Sequence, residues 1–184
     1  MKTNKKARLT IDILLIILGI AFLIFGIKDF KTFVSNQNIK ISDAEKFKRD
    51  YQYVDTENVY KYIKIKNLST LLESEEEKIV LIGSPLDSWT QVITLPLNNI
   101  VKSMNKNIYY LDLDDVDKES KDYKKVLKAL KVATPTVIVK TKTDINILDK
   151  QVLYDSNYTD APIEYWTDER TKELEKLIKE TLGN

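Results

Sequence analysis

One apolar run near the amino terminus constrains the fold of this chain more than any other feature of its sequence. Residues 9–27 carry a single charged side chain, Asp12, and residues 13–27 contain no polar side chain. As a helix rising about 1.5 Å per residue, the run spans roughly 28 Å, close to the ~30 Å hydrocarbon core of a bilayer. The run therefore predicts one transmembrane helix that contacts membrane lipid.

The charges on either side of the run predict its orientation. The preceding flank is basic, with Lys2, Lys5, Lys6 and Arg8, and the following flank is much less positive. By the positive-inside rule, residues 1–8 should form a cytoplasmic tail, and everything after residue 27 should lie outside the cell. A cleaved signal peptide and a buried core helix are the alternatives, but the run has neither a small-residue cleavage site nor a polar face.

Composition excludes several classes of chemistry. The 184 residues include no Cys and no His, which removes thiol redox chemistry, disulfides, Cys-ligated zinc and His-activated nucleophiles. The formal net charge of +1 gives no sign of a nucleic-acid partner. We therefore expect a single-pass membrane protein that is not an enzyme, with no catalytic residue, metal or cofactor.

Periodicity after residue 41 predicts alternating helices and strands. Ser42 and Glu45 form a capping-box pattern, so residues 28–56 should comprise a stalk and a helical extension. Strands are predicted at 59–65, 78–83, 107–112 and 136–141, with a further strand or hairpin at 145–154. Helices are predicted at 67–72, around 93–104, around 123–130 and after Thr167. This order indicates an α/β three-layer sandwich with a mixed sheet, in which strands joined through a helix lie parallel.

The same order resembles the thioredoxin fold, and three local features strengthen the likeness. Thr134-Pro135 ahead of an apolar strand is similar to the family's cis-proline signature. Pro96 lies where many members carry a proline inside the helix that follows the first core strand. The loop 83–91 occupies the place of the family's Cys-x-x-Cys motif. The resemblance implies a thioredoxin-like domain over residues 57–184, with a cis bond before Pro135.

Within that family, the loop looks closest to membrane-tethered thioredoxin-like proteins of Gram-positive bacteria, some of which accompany bacteriocin export and maturation. Gly83, Pro85 and Trp89 match that branch's loop spacing, which places Asp87 and Thr90 at the two cysteine positions. Counting back from Pro96 places Ser88 and Gln91 there instead. Both cysteines are missing in either register, so the resemblance implies the fold without the redox activity.

A binding surface is expected where this degenerate loop meets the proline. Its predicted members are Pro85, Asp87, Ser88, Trp89, Thr90, Thr134 and Pro135. An exposed Trp89 beside free amides at a helix start would anchor an extended peptide. The simpler alternative is that Asp87 or Ser88 caps the helix and Trp89 packs locally. If Trp89 is buried and its removal unfolds the domain, the loop would only serve packing, and binding would have to be sought before residue 57 or in the membrane anchor.

These features favour a redox-inactive accessory domain, anchored through residues 9–27, that binds a peptide or protein outside the cytoplasm. A structural subunit of a membrane complex is one alternative. The other is a carboxylate-based enzyme that uses Asp87 with the acidic cluster Asp112, Asp114, Asp115 and Asp117. The cluster departs from a calcium-loop pattern at two defining positions, so it more simply ends a strand.

Overall fold

A computed structural model describes residues 41–127 and 133–183 of the chain. The predicted cytoplasmic tail, the transmembrane helix and residues 28–40 of the stalk lie outside these ranges. Among the helices within them, none is long and apolar enough to cross a membrane. One compact unit starts at Ile41, so it includes the helical extension that precedes residue 57.

The described residues form five strands that alternate with helices. The strands are β1 (Tyr60–Tyr62), β2 (Lys78–Gly83), β3 (Ile108–Asp112), β4 (Thr136–Lys140) and β5 (Ile145–Ile147). The helices are α1 (Asp43–Asp50), α2 (Ile65–Glu73), α3 (Ser88–Ser103), α4 (Lys150–Leu153) and α5 (Asp168–Leu182). A π-helical turn at Tyr123–Leu127 and a 3-10 turn at Ile163–Tyr165 complete the set.

The strands make one mixed sheet in the order β1-β3-β2-β4-β5. The first three strands of the chain are parallel, with β3 between β1 and β2. The last two add antiparallel pairings, β4 on β2 and β5 on β4. This confirms the expected α/β class and mixed sheet, because the parallel strands are the ones joined through helices.

Apolar runs in the central strands place core on both faces of the sheet. In β2, Ile79 and Leu81 pack into a core built with α1, α3 and α5. The alternate residues Val80 and Ile82 pack into a second core with α2 and Leu127. Successive strand side chains point to opposite faces, so an uninterrupted apolar run requires helices on both sides.

Helix ends follow the predicted capping pattern. At α1 the Ser42 side chain accepts a hydrogen bond from the Glu45 amide, and the Glu45 carboxylate accepts one from the Ser42 amide. Thr167 caps α5, which ends at Gly183 in the left-handed conformation, with φ of 76°. These contacts satisfy backbone groups that have no partner within the helix.

Three predicted elements differ in extent. The strand predicted at 59–65 ends at Tyr62, because α2 already begins at Ile65. The strand or hairpin predicted at 145–154 is a strand only to Ile147, since Asp149 accepts a hydrogen bond from the Gln151 amide and starts α4. Such an Asp cap offers the backbone an alternative to strand pairing. The helix predicted around 123–130 contains a π-helical turn as far as Leu127, and residues 128–130 lie outside the described ranges.

Stacked aromatic rings fix α1 to the sheet. The ring of Phe47 lies 3.7 Å from that of Tyr60 and 4.3 Å from that of Tyr51, centroid to centroid. The Tyr51 hydroxyl is hydrogen-bonded to that of Tyr110 on β3. Phe47, Tyr51 and Tyr60 are fully buried in the core shared with β2, so α1 belongs to the folded unit.

Candidate functional site

β2 ends with a glycine that allows close packing of the start of α3. A Cβ at Gly83 would lie 2.4 Å from Cγ2 of Thr90, a distance too short for two carbon atoms. Thr90 is fully buried, so it has no room to move away. The absence of a side chain at Gly83 therefore lets α3 start directly against the end of β2.

Asp87 caps α3. Its Oδ2 accepts hydrogen bonds from the Thr90 amide at 2.9 Å and from the Thr90 hydroxyl at 2.5 Å. The two residues that the thioredoxin resemblance would place at the cysteine positions in one register are therefore hydrogen-bonded to each other. The carboxylate of Asp87 is used in this structural role, as the simpler alternative expects.

Trp89 is buried, so the prediction of an exposed aromatic at this position is wrong. Its side chain is only 6% exposed. It meets Tyr165 edge-to-face at 4.7 Å between centroids and lies 6.0 Å from Tyr154. These partners come from a segment more than sixty residues later, which folds over the start of α3. Local sequence pattern cannot reveal such a long-range cover.

Polar contacts fix the rest of the loop from two sides. The Ser88 hydroxyl accepts a hydrogen bond from the Ala161 amide at 3.0 Å, which ties the loop to the covering segment. The Gln91 side-chain amide donates to the carbonyl of Pro85 at 2.8 Å and to that of Asp50 at 3.0 Å. These hydrogen bonds connect the loop both to the covering segment and to the end of α1.

Leu86 lies at the tip of this loop and is 89% exposed. Its amide donates to the Ser84 hydroxyl at 3.1 Å, within a turn that Pro85 and Asp87 bracket. Our sequence reasoning did not select Leu86. The sequence did contain a signal for its exposure: Leu86 lies between a turn proline and a helix cap, and a side chain at such a position points away from both β2 and α3.

Thr134 and Pro135 lie beside this loop at the start of β4. The bond between them is cis, which confirms that prediction. Pairing of β4 with β2 begins at Thr136 opposite Ile82, so β2 and the segment before β4 are not paired with each other beyond this position. Pro135 is buried and Thr134 is half-buried. Among the described residues, no hydrogen bond engages the backbone of Thr134.

The neighbouring end of β3 carries the acidic cluster. Asp112 pairs in register with Gly83 and is only 8% exposed. Burial raises the pKa of its carboxyl group above the ordinary value, and the charges of Asp115 and Asp114 raise it further. A hydrogen bond of 2.9 Å from the Asp114 amide to Asp112 opposes this shift. Ser84 connects the cluster to the loop by donating to Asp114 at 2.6 Å.

Asp112→Asn should stabilise the folded unit at neutral pH. A carboxyl group whose pKa is raised on folding costs stability once the pH exceeds its unfolded value, because the buried group must then ionise. The gain should therefore be largest near pH 7 and shrink as the pH falls toward the ordinary Asp value of 3.8. Denaturant midpoints of the parent protein and of Asp112→Asn, measured across this pH range, test the expected gain in stability. Asp122→Asn removes an exposed charge as the control, and an Asp112→Asn gain that is constant with pH would contradict the account.

The acidic cluster has a cation beside it rather than the geometry of a metal centre. The Lys46 ammonium lies 3.8 Å from the Asp115 carboxylate and 3.8 Å from the centroid of the Tyr62 ring. Together with Asp112 they line a cavity of about 550 Å³. Within residues 41–127 and 133–183, no group of three or more acidic side chains is placed to hold a metal ion.

The structure thus separates the predicted site into two sets. Trp89, Thr90 and Pro135 are buried, and Asp87 and Ser88 hold the loop in place. Pro85 and Thr134 remain partly exposed, and Leu86 follows Pro85 in the loop. The accessible surface therefore combines the exposed Leu86 with the partly exposed Pro85, Asp87, Ser88 and Thr134. Comparison with protein-family models and with curated proteins finds no significant match to this chain.

Proposed function

We propose that this protein is a membrane-anchored, extracytoplasmic thioredoxin-like domain that lacks redox activity and binds an extended segment of a peptide or protein. Because Trp89 is buried, the proposal rests instead on Leu86, which is exposed at the tip of the same loop, and on the backbone of Thr134, which has no hydrogen-bond partner among the described residues. The absence of Cys removes thiol–disulfide exchange. The anchor is residues 9–27, whose length and flanks suit a single span.

The arrangement of strands supports the thioredoxin-like assignment. Three parallel strands connected through helices are followed by two antiparallel ones, as the resemblance requires. The β2–α3 loop and Thr134 meet at the carboxyl end of β2, which is where such domains hold their substrates. The resemblance also suggests a setting in the export or maturation of bacteriocins or other peptides.

Backbone pairing would supply the affinity. An extended segment that passes Thr134 could pair with its N–H and C=O groups, which have no partner among the described residues. The apolar surface of Pro85 and Leu86 would then cover one side chain of that segment. Because the Leu86 side chain is almost entirely in solvent, a partner that covers it would remove its apolar surface from water, which favours binding.

Leu86→Ala should weaken peptide binding without changing stability. Short peptides selected by phage display on the full chain in nanodiscs supply the ligands, and calorimetry gives their affinity. We expect a loss of about tenfold, because a central apolar contact that becomes buried typically contributes more than 1 kcal/mol. The free energy of unfolding should remain within about 0.5 kcal/mol of that of the parent protein, as for substitutions at exposed positions in general.

Ile145→Ala supplies the matched control, since Ile145 is a partly exposed apolar residue on β5, at the edge of the sheet. Its affinity for the same peptides should stay within twofold of the parent. A selection that yields no peptide, or peptides that bind Leu86→Ala and Ile145→Ala equally well, would contradict the proposal.

A further inference from the structure

A groove of about 360 Å³ lies between α3 and the segment that leads into α5. We call it the α3–α5 groove, and its apolar lining includes Tyr53, Leu95, Pro96, Ile163 and Trp166. Leu95 is 41% exposed and Ile163 is 71% exposed. Its volume falls near the lower end of the range of ligand sites, about 300–1,000 Å³. It has room for a bulky side chain or two.

Carboxylates outnumber cations in the chain segments around this groove. Residues 50–60 contain three carboxylates, 79–101 contain one and 151–169 contain five, and none of these segments contains Lys or Arg. Asp168 lines the groove itself, and Glu164 follows the exposed Ile163 directly. Lys102, Arg170 and Lys172 flank these segments, and the Lys102 ammonium lies 3.6 Å from the Glu57 carboxylate, so cations offset part of this charge. The remaining excess of carboxylates leaves a negative potential over the surface that they share.

We propose that the α3–α5 groove binds a bulky apolar side chain of a positively charged peptide segment. The partner would carry Phe, Leu or Ile in the groove, with Lys or Arg on either side facing the carboxylates. This inference rests on the proposed function for the existence of a peptide partner, but it uses a different surface from Leu86 and Thr134. It therefore specifies the partner's chemistry: apolar and cationic.

Charge argues against two other occupants. A second copy of the chain docked through the same face would bring like-charged carboxylates together, which opposes association. An anionic lipid surface would be repelled by the same carboxylates. A cationic segment instead gains attraction at the rim and apolar burial at the centre.

The test measures binding of the amidated peptide Lys-Lys-Phe-Leu-Lys-Lys to the full chain in nanodiscs of neutral lipid. Ile163→Ser should reduce affinity about tenfold, as expected for removal of a central apolar contact. Glu164→Lys should reduce it several-fold at low salt, and high salt should diminish this difference because the screening length falls from about 10 Å at 0.1 M to about 3 Å at 1 M. Ile145→Ser and Glu75→Lys, which alter exposed residues away from the groove, should have little effect.

Each outcome separates the two proposals. Loss of binding in Ile163→Ser but not in Leu86→Ala supports the groove, whereas the opposite result overturns it and leaves the proposed function standing. The groove proposal also fails if Glu-Glu-Phe-Leu-Glu-Glu binds as well as the cationic peptide. Binding of the parent to anionic phosphatidylglycerol vesicles, lost in Ile163→Ser, would assign the surface to lipid and overturn it too.

Discussion

Trp89→Ala should destabilise the folded unit by about 3–5 kcal/mol, the usual cost of truncating a buried large aromatic side chain. Trp89 is almost completely enclosed by Tyr165, Tyr154 and Val92. Its removal would leave a cavity between the start of α3 and the segment that covers it, and it would remove the edge-to-face contact with Tyr165. Denaturant unfolding followed by circular dichroism measures the change.

Leu86→Ala is the matched control, three positions earlier in the same loop. Because its side chain lies in solvent, the substitution should change the free energy of unfolding by no more than about 0.5 kcal/mol. If Trp89→Ala changed the free energy of unfolding as little as Leu86→Ala, residues 154–166 could not pack closely over the start of α3. Trp89 would then be available as a binding residue after all.

Phe47→Ala should have a comparable effect, about 3–5 kcal/mol. Phe47 is fully buried between Tyr60 and Tyr51 and lies edge-to-face with Tyr110. Its loss would detach α1 from the sheet and expose the rings beneath it. The same unfolding measurement, with exchange of the amides of β1, reports this loss.

Tyr158→Ala removes an aromatic ring that is half exposed, and it should cost far less than Phe47→Ala. Equal effects from the two substitutions, or an unchanged midpoint in Phe47→Ala, would mean that α1 is an appendage. In that case the folded unit would begin after residue 56.

Local signals in the sequence were sufficient to predict most elements of the described fold. The capping box at Ser42 and Glu45 and the cap at Thr167 act within one helical turn, so they can be read without knowledge of the partners. The continuous apolar run from Ile79 to Ile82 required cover on both faces of the sheet, which the two cores provide. The strand prediction extended too far because the Asp149 side chain caps α4 directly after β5, and such a cap gives the backbone an alternative to strand pairing.

The surface of the candidate site was harder to predict because long-range packing decides it. Trp89 and Leu86 are both large apolar residues in one short loop, yet one is buried and the other is in solvent. Tyr165 decides the difference, and no local periodicity links positions 89 and 165. The α3–α5 groove is likewise formed by residues from three separate segments, including Tyr53 and Ile163.

The most direct test of binding at the loop and Thr134 is amide hydrogen exchange of the full chain, with and without a saturating phage-selected peptide. If an extended segment pairs with the backbone beside Leu86, exchange of the Thr134 amide should slow by at least about tenfold, since that N–H gains a hydrogen bond worth on the order of 1 kcal/mol or more. The Leu86 amide should slow as well, while amides of β5 stay unchanged. Unaltered exchange at both Thr134 and Leu86 in the saturated complex would contradict the account.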